Sequence, residues 1–391
     1  MEPAETPFEI PGTLVTDEDK LWTLTSKLAT LCTQDEIYWY PGVYAASLGK
    51  WAIENLEKQQ FWVCEKPRGA RVLVFTDKGH SNKLQNQSFY LVDRELEFYH
   101  VENQVLPAYY DSDKGMDHTL LDCDLIEEAD PNDPEKKHFE LLVFDCLAIG
   151  GVPKNNLPMK SRYDILKRAI IPPYDKLLIE KPHWKDKMPL RLKLKKMSPL
   201  SEIRKVYLEE MPNLNHKTNG LILTGVNSKF GQGKYTEVYK WKPSIDISIN
   251  LKLKLNYPAN LHDDSLEDEF KKKATLETNH AEKNIKPKFS LYSRYRGEDI
   301  FFSELDISDN DWKTLKCSDI ELEESIVEVK WDFQKFDWKF SRFREDRHQA
   351  NNKLTVDEII ECLKFKLEFD DLCRILESNE KIKNVNNQSS N

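Results

Sequence analysis

Lys66 is the residue of this chain best suited to covalent chemistry. It ends the apolar run Trp62-Val63-Cys64-Glu65 and is followed by a turn with Arg68 and Gly69. A lysine between a strand and a tight glycine turn can present its amine to a phosphate. Such an amine ordinarily has a pKa of about 10.4, so a nucleophile requires a site that lowers this pKa by roughly 3 units through burial or neighbouring cations.

Lys240 and Lys242 are two cations that could lower that pKa. They are two residues apart in Tyr239-Lys240-Trp241-Lys242-Pro243, and on a strand such residues point to the same side. They could then also hold a phosphate. The alternative is an exposed strand face with two solvated lysines.

Five further motifs follow Lys66 in order. The whole series resembles the motifs of the fungal mRNA guanylyltransferases, the alpha subunits of capping enzymes within the lysine nucleotidyltransferases. The resemblance covers nearly the whole chain, from about Pro11 to about Leu376. The segments that carry it are Val63–Arg71, Leu120–Asp124, Leu142–Ala148, Thr218–Thr224, Tyr239–Pro243 and Arg342–Asn351.

This resemblance implies a two-step transfer. The lysine amine attacks the α-phosphate of GTP to give lysyl-GMP and pyrophosphate, and the 5′-diphosphate end of an RNA then takes the GMP. Mg²⁺ or Mn²⁺ would neutralise the leaving pyrophosphate. The sequence leaves the metal ligands unknown.

The resemblance also implies which residues contact the nucleotide. Phe144 would stack on guanine, although an aromatic residue in such a run is more often part of a core. The other implied contacts are Lys240 and Lys242 at the α-phosphate, Arg71 at the sugar or a phosphate, Asp124 at a ribose hydroxyl, and Arg344, Asp346 and Arg347 at the β- and γ-phosphates.

The chain departs from the family pattern at two acidic positions. Arg68 replaces the aspartate between Lys66 and Gly69, and Asn219 replaces the aspartate of the fourth motif. Three functions therefore compete. They are an active guanylyltransferase, a catalytically weak relative that binds a capping partner, RNA or the phosphorylated tail of RNA polymerase II, and a polynucleotide ligase, which the motif at Tyr239–Pro243 disfavours.

Partners and location follow from the resemblance alone. It implies the RNA 5′ end as acceptor, a separate RNA 5′-triphosphatase subunit, contact with the phosphorylated polymerase tail, and a nuclear protein. Composition adds that the 391 residues carry a net charge of −10, so RNA contacts are expected only at local basic patches. The seven cysteines form no CxxC pair, which favours free thiols, and no apolar run predicts a membrane span.

One such patch is predicted within residues 183–205. Eight lysines or arginines there accompany only two acids, and Arg191, Lys193 and Lys195 alternate along a strand. We expect these three to share a face that binds RNA phosphates or phosphoserines. A solvated strand edge is the alternative.

The predicted fold class is α+β. A nucleotidyltransferase domain with antiparallel sheets spans 1–248, and an OB-fold β-barrel spans 249–354 with a charged insertion at 260–287. A helix follows over 355–383, with a disordered tail at 384–391. An amphipathic helix over Ser161–Ile171 is expected to stop at Pro172-Pro173.

Overall fold

The computed structural model describes residues 8–78, 83–130, 133–231, 237–257, 286–315, 321–345 and 347–377. The chain divides into two compact units. The large unit holds Phe8–Lys242 together with the chain from Glu368 onward, and the small unit holds Pro243–Leu367. Most of the predicted charged insertion (260–285) and all of the predicted tail (384–391) lie outside the described residues.

The large unit is mostly strands, as the alternating apolar runs predict. Its strands are β1 (Thr13–Leu14), β2 (Ala46–Ser47), β3 (Phe61–Pro67), β4 (Ala70–Asp77), β5 (Ser88–Val92), β6 (Phe98–His100), β7 (Pro107–Ala108), β8 (Asp111–Gly115), β9 (Thr119–Asp130), β10 (Asp133–Ile149), β11 (Val152–Pro153), β12 (Leu190–Leu194), β13 (Ser198–Pro199), β14 (Thr218–Gly225) and β15 (Val238–Trp241). Its helices are α1 (Glu18–Leu31), α2 (Lys50–Lys58), α3 (Met159–Ile165), α4 (Ile171–Glu180), α5 (His183–Lys187) and α6 (Ile203–Lys205).

Two sheets of this unit position the site. The first has the order β1-β6-β5-β4-β9-β10-β11, with β12 parallel to β10, and is otherwise antiparallel. The second has the order β13-β3-β14-β15-β2. The confirmed fold class is therefore α+β.

The first sheet is covered on both faces, and β4 shows why. Successive strand residues point to opposite sides, so Val72 and Val74 pack in the core that includes α3 and α4, while Leu73 and Phe75 pack in the core that includes α1. Strand β4, which carries Arg71, is thereby fixed between two helical layers.

The helix predicted to end at Pro172-Pro173 does not end there. α3 continues through a π-helical turn at Leu166–Ile170 into α4, and both prolines occupy its first turn. The π-helical turn ends with a hydrogen bond from the N–H of Ile171 to the carbonyl of Leu166, and the two prolines, which have no N–H to donate, follow it. The prediction of a stop was wrong.

The small unit is one antiparallel sheet with helices. Its strands β16 (Ser248–Asn256), β17 (Lys288–Tyr295), β18 (Glu298–Leu305), β19 (Ile326–Asp332) and β20 (Asp337–Phe343) have the order β18-β17-β16-β19-β20. Alternate residues of β16 and β19 form its core with α7 (Asp309–Leu315) and α8 (Lys353–Phe365). Within the described residues no ladder joins β18 to β20, so a closed OB barrel stays a prediction.

The predicted single C-terminal helix is broken. α8 ends at Phe365 because Lys366 is left-handed, with φ of 46°. A second helix, α9, follows over residues 369–377 and belongs to the large unit. Among the helices that the structure describes, none is both long and apolar enough to cross a membrane.

A buried ion pair ties α3 to the first sheet. Arg162 on α3 donates through Nε and Nη2 to the two carboxylate oxygens of Asp145 on β10, at 2.7 and 2.9 Å. Its Nη1 also donates to the carbonyl of Ser228, which follows β14 of the second sheet. Arg162 therefore connects the two sheets.

We expect Arg162→Ala to lower the free energy of unfolding by about 3–5 kcal/mol, because it leaves the buried Asp145 without a counter-charge. Lys58→Ala, which removes an exposed pair with Glu54, is the matched control and should change it by less than about 1 kcal/mol. Equilibrium denaturation measures both. A loss below about 1 kcal/mol for Arg162→Ala would contradict this role.

Candidate active site

Lys66 lies near the end of β3, in the second sheet. Its amine Nζ donates to Asn219 Oδ1 at 2.9 Å. Asn219 is placed there by an irregularity in the ladder between β3 and β14, which shifts the register between Thr218 and Leu221. Gly220 has φ of +136°, and a Cβ there would lie 2.1 Å from the carbonyl oxygen of Trp241. Only glycine fits this bend without displacing β15.

The turn after Lys66 passes the chain from the second sheet to the first. Gly69 approaches strand β9 so closely that a Cβ would lie 2.2 Å from the carbonyl oxygen of Leu125. Arg68 is exposed on this turn, and its backbone N–H donates to the carbonyl of Lys217 at 2.8 Å. The glycine thus holds Lys66 against the edge where the sheets meet, while the Arg68 side chain projects outward.

The amine of Lys66 is poised to be uncharged near neutral pH. Its pKa is lowered to about 7, chiefly by burial and then by Lys242, Lys240 and Lys195, while Asp124 opposes them. Sequence reasoning required a pKa depression of this size, through burial or neighbouring cations, and named Lys240 and Lys242 as the cations. It did not identify Lys195 as the third cation.

Lys240 lies on strand β15, and Lys242 is the first residue after that strand. Trp241 between them is buried and points away, packing at 5.3 Å from the Tyr207 ring and 5.6 Å from the Phe369 ring, the latter on α9. Alternation along the strand then directs Lys240 and Lys242 to the opposite side. Helix α9 therefore supports the segment that supplies two of the cations.

Arg71 is locked by a buried carboxylate. Its Nε and Nη2 donate to the two oxygens of Asp122 at 2.9 and 2.6 Å, and Nη1 donates to the carbonyl of Val43. The guanidinium also lies 5.3 Å from the Phe144 ring. Sequence reasoning missed Asp122, although a charged residue inside the apolar run Leu120–Leu125 signals a buried partner.

Lys195 is part of this site and not of a surface patch. It is 3% exposed, its Nζ lies 2.5 Å from Asp124 Oδ2, and it sits 5.5 Å from the Phe144 ring. The predicted face is open at Arg191 but buried at Lys195, because the chain beyond β12 joins the second sheet, where Ser198 pairs with Val63 of β3. The prediction for Lys195 was wrong.

The other two members of the predicted patch have local partners. Lys193 pairs with Glu128 at 3.1 Å and Glu140 at 2.8 Å, and Arg191 Nη1 lies 3.2 Å from His138 Nε2. Lys193 therefore has two acidic partners on this face, and RNA or phosphopeptide binding by Arg191 and Lys193 stays a prediction.

Two of the predicted phosphate contacts lie in the small unit. Arg344 and Arg347 line a groove together with His348 and three glutamates. Arg344 Nη1 donates to Asn250 Oδ1 at 3.0 Å. Asp346, predicted with them, lies outside the described residues.

The donor atoms around Lys66 do not make a self-sufficient metal site. Among the described residues, clusters of three potential ligands occur at Asp77, Asp117 and His118, and at Glu128, His138 and Glu140, away from the Lys66 amine. Near Lys66 the carboxylate is Asp124. One carboxylate fits a divalent ion held mainly by nucleotide phosphates and water.

We expect acylation of Lys66 to rise with pH through about 7, because only the uncharged amine reacts and its neutral fraction at pH 7 exceeds that of an ordinary lysine by about a thousandfold. Limiting acetic anhydride followed by peptide mass spectrometry measures this, with the exposed Lys58 as internal reference.

Lys242→Gln removes a cation and should shift the Lys66 profile to higher pH. Lys252→Gln in the small unit is the matched control and should leave it in place. A Lys66 profile identical to that of Lys58 would contradict the depressed pKa.

Comparison with known proteins identifies the family. Residues 6–244 match the family described as mRNA capping enzyme, catalytic domain, and residues 243–373 match mRNA capping enzyme, C-terminal domain. The mRNA-capping enzyme subunit alpha of Schizosaccharomyces pombe is 30% identical over 383 residues, covering 96% of this chain and 89% of that protein. That of Saccharomyces cerevisiae is 28% identical, covering 83% and 75%.

Solved structures are more distant. The crystal structure of Chlorella virus DNA ligase-adenylate is 12% identical with a TM-score of 0.29, covering 77% of this chain and 97% of that one. The sequence relatives and family matches carry the conclusion: this chain belongs to the mRNA capping enzyme family of nucleotidyltransferases.

Proposed function

We propose that the chain is an mRNA guanylyltransferase that transfers GMP from GTP, through a lysyl-GMP on Lys66, to the 5′-diphosphate end of nascent mRNA. The observation that carries this is the half-buried Lys66, whose amine has its pKa lowered to about 7 beside Lys240, Lys242 and Lys195, in a chain of the capping enzyme family.

In the first step the neutral amine of Lys66 attacks the α-phosphorus. An N–P bond forms, the bond to the β-phosphate oxygen breaks, pyrophosphate leaves, and the nitrogen releases a proton. Lys240 and Lys242 stabilise the negative charge that develops on the phosphate. In the second step a terminal oxygen of the RNA diphosphate attacks the same phosphorus, the N–P bond breaks, and the amine regains its proton.

Enzymes of this kind use a divalent metal and a nucleotide. We assign GTP as the nucleotide and Mg²⁺ or Mn²⁺ as the ion, which Asp124 would help to hold and which would neutralise the leaving pyrophosphate. Phe144 would stack on guanine. Arg71 would face the sugar or a phosphate, and Arg344, Asp346 and Arg347 the β- and γ-phosphates.

The relatives' name, subunit alpha, supports a heteromeric capping complex. We propose a separate RNA 5′-triphosphatase subunit as partner, association with the phosphorylated tail of RNA polymerase II, and a nuclear location. A catalytically weak scaffold is the second candidate, since Arg68 and Asn219 occupy positions where the family pattern has acids.

The decisive experiment is covalent labelling. Incubation with α-labelled GTP and Mg²⁺ should give a labelled band on a denaturing gel, and Lys66→Ala should abolish it, because it removes the amine to which GMP would be attached. Lys217→Ala, an exposed lysine beside the Arg68 turn, is the matched control and should label normally.

Failure to label at all would favour the scaffold. Labelling from ATP alone would favour a ligase. Peptide mapping that placed GMP on Lys240 or Lys242 would overturn the assignment of Lys66.

Asn219 gives a second test. Its neutral oxygen lies 2.9 Å from the Lys66 amine, and a carboxylate there would stabilise the charged amine and raise the pKa of Lys66. We therefore expect Asn219→Asp to move the pH profile of lysyl-GMP formation to higher pH and to slow it by about tenfold at pH 7. Asn227→Asp, in the loop after β14, is the control.

The double variant Arg68→Asp with Asn219→Asp completes this test. It restores the family's acids, and a rate at pH 7 well above that of the unchanged protein would show that the site is degenerate. No gain would show that it operates with its own residues.

A further inference from the structure

The loop Tyr38–Tyr44, here called the aromatic loop, exposes large rings to solvent. Tyr38 is 73% exposed, Trp39 60% and Tyr44 43%. The Tyr38 and Trp39 rings lie side by side with centroids 6.2 Å apart. Exposed aromatic residues grouped within seven positions mark an interaction surface more often than isolated ones do.

The inward residues of this loop belong to the nucleotide site. Tyr40 is 2% exposed and lies 5.8 Å from the Arg71 guanidinium. Val43 accepts a hydrogen bond from Arg71, whose guanidinium also lies against Phe144. The aromatic loop therefore borders the site on the side of the first sheet.

The end of the loop reaches the other side of the site. Strand β2 follows directly and pairs with β15, with Ser47 opposite Lys240. The backbone N–H of Leu48 donates to the carbonyl of Lys240 at 2.9 Å. The loop thus extends from Arg71 to the strand that carries Lys240, so its exposed rings stand at the edge of the Lys66 site.

The charges around the loop favour contact with bases. The guanidinium of Arg94 lies 5.9 Å from the Tyr44 ring and supplies a cation at one end. Asp35 and Glu36 are exposed just before Tyr38 and would repel phosphates at the other end. Aromatic rings bind unpaired bases by stacking, whatever their sequence.

We propose that Tyr38, Trp39 and Tyr44 form a stacking platform for the first unpaired nucleotides of the acceptor RNA, with Arg94 on the adjoining phosphate. This rests on the proposed function, in which a 5′-diphosphate must reach the phosphorus on Lys66. The nucleotides that follow that end must leave the site over its edge, and the aromatic loop forms part of that edge.

The test separates the two steps of transfer. In the variant Tyr38→Ala with Trp39→Ala, lysyl-GMP formation from GTP and its reversal by pyrophosphate should stay within about twofold, since neither needs RNA. The KM for a single-stranded 5′-diphosphate RNA of about ten nucleotides should rise about tenfold or more. Trp22→Ala, an equally exposed tryptophan on α1, is the matched control and should change none of these.

A direct measurement of RNA binding tests the platform without depending on catalytic turnover. Fluorescence anisotropy of the same RNA should show weaker binding to the double variant, and Trp39→Phe, which keeps a stacking ring, should bind nearly as well as the unchanged protein. Equal RNA binding by the double variant would overturn the platform.

One outcome is that the unchanged protein forms no lysyl-GMP while the double variant still binds RNA more weakly than it does. In that case the proposed function fails and the platform stands. If the variant binds RNA normally but no longer associates with an RNA triphosphatase subunit, the surface is a protein interface and the platform is wrong.

Discussion

The uncharged state of one buried amine is the constraint on which the rest of the site depends. Lys66 loses the solvation that would favour its charged form, and Lys242, Lys240 and Lys195 add repulsion. The carboxylate of Asp124 acts in the opposite direction, and it is itself paired with Lys195 at 2.5 Å. The balance lowers the amine's pKa to about 7, where it can attack without a dedicated base.

This balance of charges around Lys66 requires the first and second sheets to lie close together. Lys66 and Lys240 belong to the second sheet and Lys242 follows its strand β15, whereas Asp124 and Phe144 belong to the first sheet. Gly69 permits the crossing, since any side chain there would strike the carbonyl of Leu125. Arg162 joins the sheets again at a distance through Asp145 and Ser228. The site's electrostatics therefore depend on packing contacts that touch no substrate.

Local patterns in the sequence were sufficient for the strands, the α+β class, the family and the idea of a lysine with a lowered pKa. They failed where one part of the fold covers another. Alternation placed Lys195 on an exposed face, but it could not show that the chain after β12 joins the second sheet beside β3 and that Lys195 is buried. Asp122 was missed for the same reason, because its partner Arg71 lies 51 positions earlier in the chain. The predicted helix stop at Pro172-Pro173 was wrong because these prolines lie in the first turn of the helical segment α4.

The absence of acids at positions 68 and 219 fits this electrostatic picture. An aspartate at position 219 would stand within hydrogen-bonding distance of the Lys66 amine and favour its charged form, whereas Asn219 accepts the same hydrogen bond without that charge. Arg68 is exposed, so its positive charge is screened from the amine more than the charges of the half-buried Lys240 and Lys242 and the buried Lys195 are. A site with one fewer carboxylate beside the nucleophile has less capacity to hold a metal but a more readily deprotonated lysine. Weaker metal binding lowers the rate of lysyl-GMP formation, and a larger fraction of uncharged Lys66 raises it. The relative size of these two effects determines whether the substitutions weaken the enzyme.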